Sequence, residues 1–389
     1  MTIGGLTVEF VPSAGQIDAA LWETCFPPPI EGRWWYETLE SSGLEAQFSF
    51  LYGVIHRDGA PVGIAPAFLM NFPVSLVAPS WLEPVIRWLD RFVPTLARPR
   101  TLFVGSPCAD QGTVGLLADV DKRAALLALH RALQVEARKL DAALLVWKDF
   151  AQPDAADLEW LTQNAGLFRL VSFPGTIIDF PGPDKDSYFA GLKHSHRYNL
   201  RRNLRRSQSK IELLTEILHD PDERALDELF GLFRQTYERA TTRFEELNRQ
   251  FFATIAKHSC AHFIVLRERA RNEMVAFMLC FDLGAKVINK FVGFDYRQPR
   301  EWLLYFRLWD AAVDWALARG ATSIQSGQTG YAPKIEIGHR LVPLFNYCSH
   351  RNPIVHALAA ACARHISWST LDEDLARRVE GTHSQRWRS

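Results

Sequence analysis

Ala261-His-Phe-Ile-Val-Leu-Arg267, a polar turn through Asn272, and the return from Met274 to Asp282 form the passage that decides the fold. Aromatic and β-branched residues on both sides of a polar turn read as a β-hairpin. The same holds for Phe48-Ser-Phe-Leu-Tyr-Gly-Val-Ile-His56, the turn Arg57-Asp-Gly-Ala60 and the return from Pro61 to Met70. Each hairpin is followed by a helix that feeds a strand. Ala124 to Lys139 carries apolar residues at helical spacing and leads into Ala142–Trp147. Leu303 to Arg319 does likewise, stops at Gly320 and leads into Thr322–Gln325. Hairpin, helix and strand recur about 180–210 residues apart, so two similar units are expected.

The boundary between them is expected at 174–183, where FPGTIIDFPGPD mixes a short β-like run with turn residues. This gives domains at 1–180 and 181–389. A helical stretch from about Lys185, then helices at Leu226–Tyr237 and Leu247–Lys257, precede the second hairpin. The predicted class is α+β, with mixed, largely antiparallel sheets flanked by helices.

Bulk composition narrows the functional field. At 389 residues the chain exceeds what one growing core holds, which supports two domains. Its 44 basic and 44 acidic residues cancel, so no global field steers it toward nucleic acid or an anionic membrane, and any polyanion site must be a local patch. The six cysteines are scattered without a CxxC, as in a reducing compartment. No signal-like segment opens the sequence and no apolar run nears the ~20 residues of a membrane span, so a cytoplasmic protein is expected. An apolar stripe from Pro79 to Pro99 marks an amphipathic helix. Its plainer reading is burial against the first sheet; a lid, a wall for an apolar acceptor or a membrane-surface contact is the alternative.

Three stretches can carry chemistry. Lys193 to Lys210 holds seven Lys or Arg and no acid. On a helix Arg197, Arg201 and Arg205 align at four-residue steps beside Arg202 and Arg206, so a counter-anion is expected. His194 and His196 point apart on such a helix and no third ligand is evident, so no metal is expected. The second stretch, Lys286 to Trp302, is a strand that hands over to a helix start, where Arg297 and Arg300 are placed to meet phosphates. The third, Ser326 to Pro343, combines Gly327, Gly330 and Gly338 with Gln328, Tyr331, Lys334, Glu336, His339 and Arg340. Donors and proton carriers in a glycine-hinged segment make it the strongest local signal. GxSxG, Walker, HxxxD and HExxH motifs are absent, so a covalent serine or cysteine mechanism has no support.

The second half, from about Tyr188 to Tyr347, resembles the FemAB-like and CelD/BcsL-like branch of the GNAT superfamily. The features that carry the resemblance are the basic helix Arg197–Arg206, the strand end Val292-Gly-Phe-Asp295, the helix closing at Gly320, and the run of Lys334, Gly338, Arg340 and Pro343. The stretch around Lys334 is also similar to predicted N-acyltransferases linked with peptidoglycan biosynthesis, with Pro333 where those have His. The GNAT pyrophosphate signature RxxGxG/A is absent, and RQPREW stands in its place.

The resemblance implies two tandem GNAT-like domains and an N-acyltransferase acting by positioning and oxyanion stabilisation. Acyl-CoA or an acyl carrier protein would be the donor, and a small-molecule or lipid-linked amine or hydroxyl the acceptor. Lys334 would meet phosphate or developing negative charge, and Asp295 and Gln328 would orient the nucleophile. Arg197, Arg201, Arg205, Tyr296, Arg297, Arg300, Tyr331, His339 and Arg340 would bind substrate. The competing readings are an aminoacyl-tRNA-dependent FemX-like transferase and a non-catalytic GNAT-like binding protein of polysaccharide synthesis.

Overall fold

The computed structural model describes residues 5–78, 82–240, 243 and 245–377. Two mixed sheets flanked by helices make up the fold. The first is built from β1 (Leu6–Val11), β2 (Ser49–Arg57), β3 (Ala60–Asn71), β4 (Arg100–Val104), β5 (Gly115–Leu116), β6 (Leu144–Ala151) and β7 (Phe168–Val171). The second takes β8 (Gly175–Asp179), β9 (Leu213–Leu218), β10 (Ala261–Glu268), β11 (Glu273–Asp282), β12 (Lys286–Phe294), β13 (Ser323–Ser326) and β14 (Arg340–Val342). A last strand, β15 (Leu344–His350), returns to the first sheet between β6 and β7.

Both hairpins form as expected. The β2–β3 turn places Asp58 and Gly59 at φ 52° and 84°, the conformation that an Asp-Gly pair adopts between twisted strands. Each expected helix–strand pair follows its hairpin: Lys122–Lys139 before β6, and Leu304–Ala318 before β13. Asp121 starts the first of these helices by accepting from the Ala124 amide.

The strands do not divide at residue 180. β8, before that point, pairs with β13, and β15, long after it, pairs with β6 and β7. The chain changes sheets twice in adjacent places, at Pro174 and Pro343, where the Ser172 amide still donates to the Leu344 carbonyl at 3.0 Å. Proline offers no donor to either ladder, so it suits a point where one ladder ends and another begins. The halves also share a core: Trp35 of the helix Arg33–Glu40 packs edge-on against Phe251 and Phe281.

The segment expected at 79–99 is helical over Glu83–Phe92 and Pro94–Ala97; its first residues, 79–81, lie outside the described ones. It is not simply buried. Ile86 is in the core, but Val85, Trp88, Phe92 and Leu96 are exposed, because the helix has apolar residues on both faces and only one can be covered.

The feature that positions the site is the parting of β12 and β13. They run parallel only over Lys286–Asn289 and Ser323–Ser326. β12 continues to Phe294 against β11, while the chain after Ser326 turns away, leaving the β12 edge from Lys290 onward open.

Candidate functional site

A cavity of about 520 Å³ opens at this parting, within the range that holds drug-sized ligands. One end is polar, formed by Asp110, Lys148, Asp149, Glu245, Lys290 and Gln328. The rest is mostly apolar, walled by strands of the first sheet, by Leu82, Ile86 and Leu89, and by the helix Pro353–Ala363, with Ser172, Asn346 and His350 among its lining.

Lys290 is the centre of the polar end. Its side chain is 1% exposed, lies 2.5 Å from the Glu31 carboxylate and 4.0 Å from Asp110, and sits over the Trp35 ring at 4.8 Å. Burial would lower its pKa, but the carboxylates of Asp110 and Glu31 outweigh that and hold the ammonium above its usual range. One cation thus serves two carboxylates, and Glu31 holds it more closely. Asp110 is left with Gln325, whose Nε2 donates to Oδ2 at 3.2 Å. Burial, the largest influence, raises the Asp110 pKa, and the nearby Glu31 adds to this against the pull of Lys290. A buried carboxyl with raised proton affinity beside a cavity is the profile of a general base.

Gln328 supplies the complementary group. Its Nε2 is buried, lines the cavity and has no hydrogen-bond partner. A donor kept dry and unpaired at one end of a cavity is costly unless an acceptor arrives there. Strain gathers at the same place. Cys108 and Thr329, both lining the cavity, have φ of 56° and 80°, a region costly for side chains of their kind.

The loop that bears Gln328 is held from behind. Lys334 Nζ donates to the Gly327 carbonyl at 2.6 Å, and a Cβ on Gly327 would lie 3.3 Å from Asp110 Oδ1. Lys334 is buried and is not among the residues that line the cavity, so its contact is with backbone, not with open space. Burial pushes its pKa down to about 8 from the ordinary 10.5. Between those values the unfolded chain binds the proton and the folded chain does not, so stability rises with pH across that window. The gain is roughly 3 kcal/mol, and it is absent from Lys334→Met. Denaturant unfolding of both proteins from pH 7.5 to 10.5 (a range bracketing the two values) checks this.

The other residues singled out from sequence have their own partners. Asp295 is buried and receives Arg297 Nε at 2.8 Å, Arg297 Nη2 at 3.0 Å and Gln298 Nε2 at 2.7 Å, bonds that hold its pKa down despite burial. It closes its own turn and is not free to orient a nucleophile. Arg297 is spent on that contact. Arg300 lies in a 3-10 turn, and the helix expected to begin at Arg297 begins at Leu304, after Leu303 in the left-handed region at φ 48°. Tyr331 is fully buried with its hydroxyl on the Pro174 carbonyl at 3.0 Å. His339 is buried against Trp309, and burial pushes its pKa down to about 3, so it is a neutral packing residue. Arg340 pairs with Asp179 at the surface.

Tyr296 is exposed beneath Arg239, whose guanidinium lies 4.6 Å from its ring. The basic stretch is a helix, His194–Gln208. Arg197 donates to the Phe189 and Ala190 carbonyls, Arg201 stacks on Phe189, and Arg205 is exposed with Arg202 and Arg206. Ser207 of this helix donates to the Trp302 carbonyl at 2.6 Å, which sets the helix beside the turn before Leu304.

Of the residues predicted from sequence, the structure brings Gln328 to the cavity and Lys334 directly behind it. Asp110, Lys290, Glu31, Lys148 and Glu245 were not foreseen. Among the described residues no cluster of three or more His, Cys, Asp or Glu is placed to hold a metal ion.

The sequence pattern of the FemAB-like family, described as peptidoglycan biosynthesis/recognition, matches residues 149–375. No curated protein matches the sequence. Among solved structures, FemX superposes with a TM-score of 0.59 at 13% identity, covering 90% of this chain and 100% of its own. L-PGS from Bacillus licheniformis gives 0.52 at 13% identity, covering 83% and 91%. A tandem GNAT protein from the clavulanic acid biosynthesis pathway gives 0.51 at 14% identity, covering 89% and 99%. These likenesses establish a tandem GNAT fold.

Proposed function

The chain belongs to the FemAB-like family of peptidoglycan biosynthesis and recognition, and from that premise we propose that it transfers an acyl or aminoacyl group to an amine or hydroxyl at the parting of β12 and β13. The observation that carries this reading is the pairing of a buried carboxyl of raised pKa, Asp110, with an unpartnered donor, Gln328 Nε2, at the polar end of one cavity. FemX and the tandem GNAT protein, which share the fold, agree with it.

In this reading the nucleophile's lone pair attacks the acyl carbon while its proton passes to Asp110. The oxyanion so formed is met by Gln328 Nε2 and the Lys290 ammonium, both preorganised in a site shielded from water. Collapse breaks the bond to the donor's sulfur or oxygen, and the leaving group takes up the proton from Asp110. Lys334 is a positioning residue that fixes the Gly327–Gln328 backbone.

The donor is proposed to be an acyl thioester of coenzyme A or of a carrier protein. A second reading, an aminoacyl-tRNA donor, is favoured by one observation. The turn where a diphosphate would lie has no glycine, contains Pro299 and has its Arg297 committed to Asp295, whereas exposed Arg202, Arg205 and Arg206 stand on the adjoining helix. Incubation with acetyl-CoA, long-chain acyl-CoA, acylated carrier protein and charged tRNA separates the two. Mass spectrometry is expected to show one donor class consumed with a new amide or ester, and consumption is expected to fall about 100- to 1,000-fold in Gln328→Ala. Consumption of none of these donors would remove the reading.

A further inference from the structure

The apolar end of the cavity opens between two helices that are also apolar on the outside. Glu83–Phe92 turns Ile86 and Leu89 to the cavity and leaves Trp88 and Phe92 57% and 61% exposed. Pro353–Ala363 turns Val355 and Ala359 to the cavity and leaves Ile354 and Leu358 70% and 63% exposed. Val85 and Leu96 do both: they line the cavity and are about half exposed, so they mark its mouth.

Such exposure is not scattered over the surface. Of the twelve large apolar residues that stand exposed among the described ones, seven lie on 85–96 or 354–358. A water-soluble monomer gains nothing from grouping them beside a cavity, whereas a protein that meets hydrocarbon does. The local charge is one-sided. Residues 82–100 hold four arginines against two acids, with Arg98 paired to Asp90, and 351–366 hold two arginines and no acid, with Arg351 paired to Asp141, in a chain whose total charge is zero. Cations around a Trp- and Phe-bearing helix match an anionic lipid surface. Among the described residues no helix is long and apolar enough to cross a membrane. Contact through one face of a short helix is what this arrangement allows.

We propose that the two helices rest on an anionic membrane surface, and that the cavity takes up the hydrocarbon chain of a single-chain amphiphile from it, head group toward Asp110, Lys290 and Gln328. Placement of the head rests on the transferase reading; capture of the chain does not. The chain can belong to the acyl donor or to a lipid acceptor, and its recognition is the same.

The test uses the full chain and reads binding, so its failure is separate from a failure of transfer. Cosedimentation with phosphatidylcholine vesicles, with and without phosphatidylglycerol, measures the surface; cis-parinaric acid and its lysophospholipid analogue, by fluorescence, measure the cavity. The protein is expected to sediment with the anionic vesicles, and Trp88→Ser/Phe92→Ser to reduce this about tenfold or more without lowering the melting temperature, since both side chains are exposed. Ala359→Trp, or Leu89→Trp should the first fail to fold, fills the cavity and is expected to abolish probe binding while vesicle binding stays. Preference for the fatty acid points to the donor chain and preference for the lysophospholipid to the acceptor. Equal sedimentation with neutral vesicles, no effect of the rim substitutions, or no binding of either probe would overturn the proposal.

Discussion

Asp110→Asn is expected to lower the rate of the transfer step about 100- to 10,000-fold, the range over which a positioned base acts. Asn keeps the shape and still accepts from Gln325, whose Nε2 lies 3.2 Å from the present carboxylate. Lys290 keeps Glu31 at 2.5 Å, so no buried charge is stranded. The loss therefore falls on turnover, with substrate affinity and melting temperature little changed. A carboxyl raised by burial loses stability by being ionised, so neutral Asn is, if anything, mildly stabilising at neutral pH. Single-turnover kinetics alongside thermal unfolding separates the two quantities.

The largest effect on stability is expected from Glu31→Gln. Lys290 is 1% exposed, and its ammonium depends on this carboxylate. Removing one partner of a buried pair strands the other, at a cost of about 3–5 kcal/mol. The lower end is expected, because the Asp110 carboxylate at 4.0 Å remains to carry part of the load. That compensation has a signature: once Asp110 is the partner of Lys290, its proton affinity falls. The double variant Glu31→Gln/Lys290→Met is expected to recover most of the stability, since with the ammonium gone no buried cation is left unpaired, but not the transfer activity. Denaturant unfolding of wild type, single and double variants measures each step.

Much of the fold was readable from residue pattern. Both hairpins and the helices after them follow from alternation and from a 3.6-residue period, and they form within a few residues of where they are expected. The segment after Ser326 was readable as well, since glycines among donors seldom serve a plain connection; Gln328 and Lys334 come from it. Asp295 misled because a carboxylate at a strand end looks available until Arg297 and Gln298, two and three residues on, are seen to enclose it. Glu31, Asp110 and Lys290 carried no local signal. Glu31 and Asp110 stand in unremarkable stretches and Lys290 in one that drew notice for its arginines; their meaning lies in pairing across 259 residues between Glu31 and Lys290 and 215 between Asp110 and Gln325. The return of β15 to the first sheet was hidden for the same reason: alternation announces a strand but does not name its neighbour. In 79–99 the stripe was evident. Which face meets protein was not, because both faces are apolar.

The pH dependence of single-turnover transfer, in wild type and in Asp110→Asn, tests the central assignment most directly. Wild type is expected to lose rate as pH falls along a limb set by Asp110 and displaced above the ordinary carboxylate pKa of 3.8, because burial raises that group. In Glu31→Gln the limb moves to lower pH, and in Asp110→Asn it disappears, leaving a slow rate flat across the same range. An acid limb of the same position and depth in wild type and Asp110→Asn would contradict the assignment of Asp110 as the base.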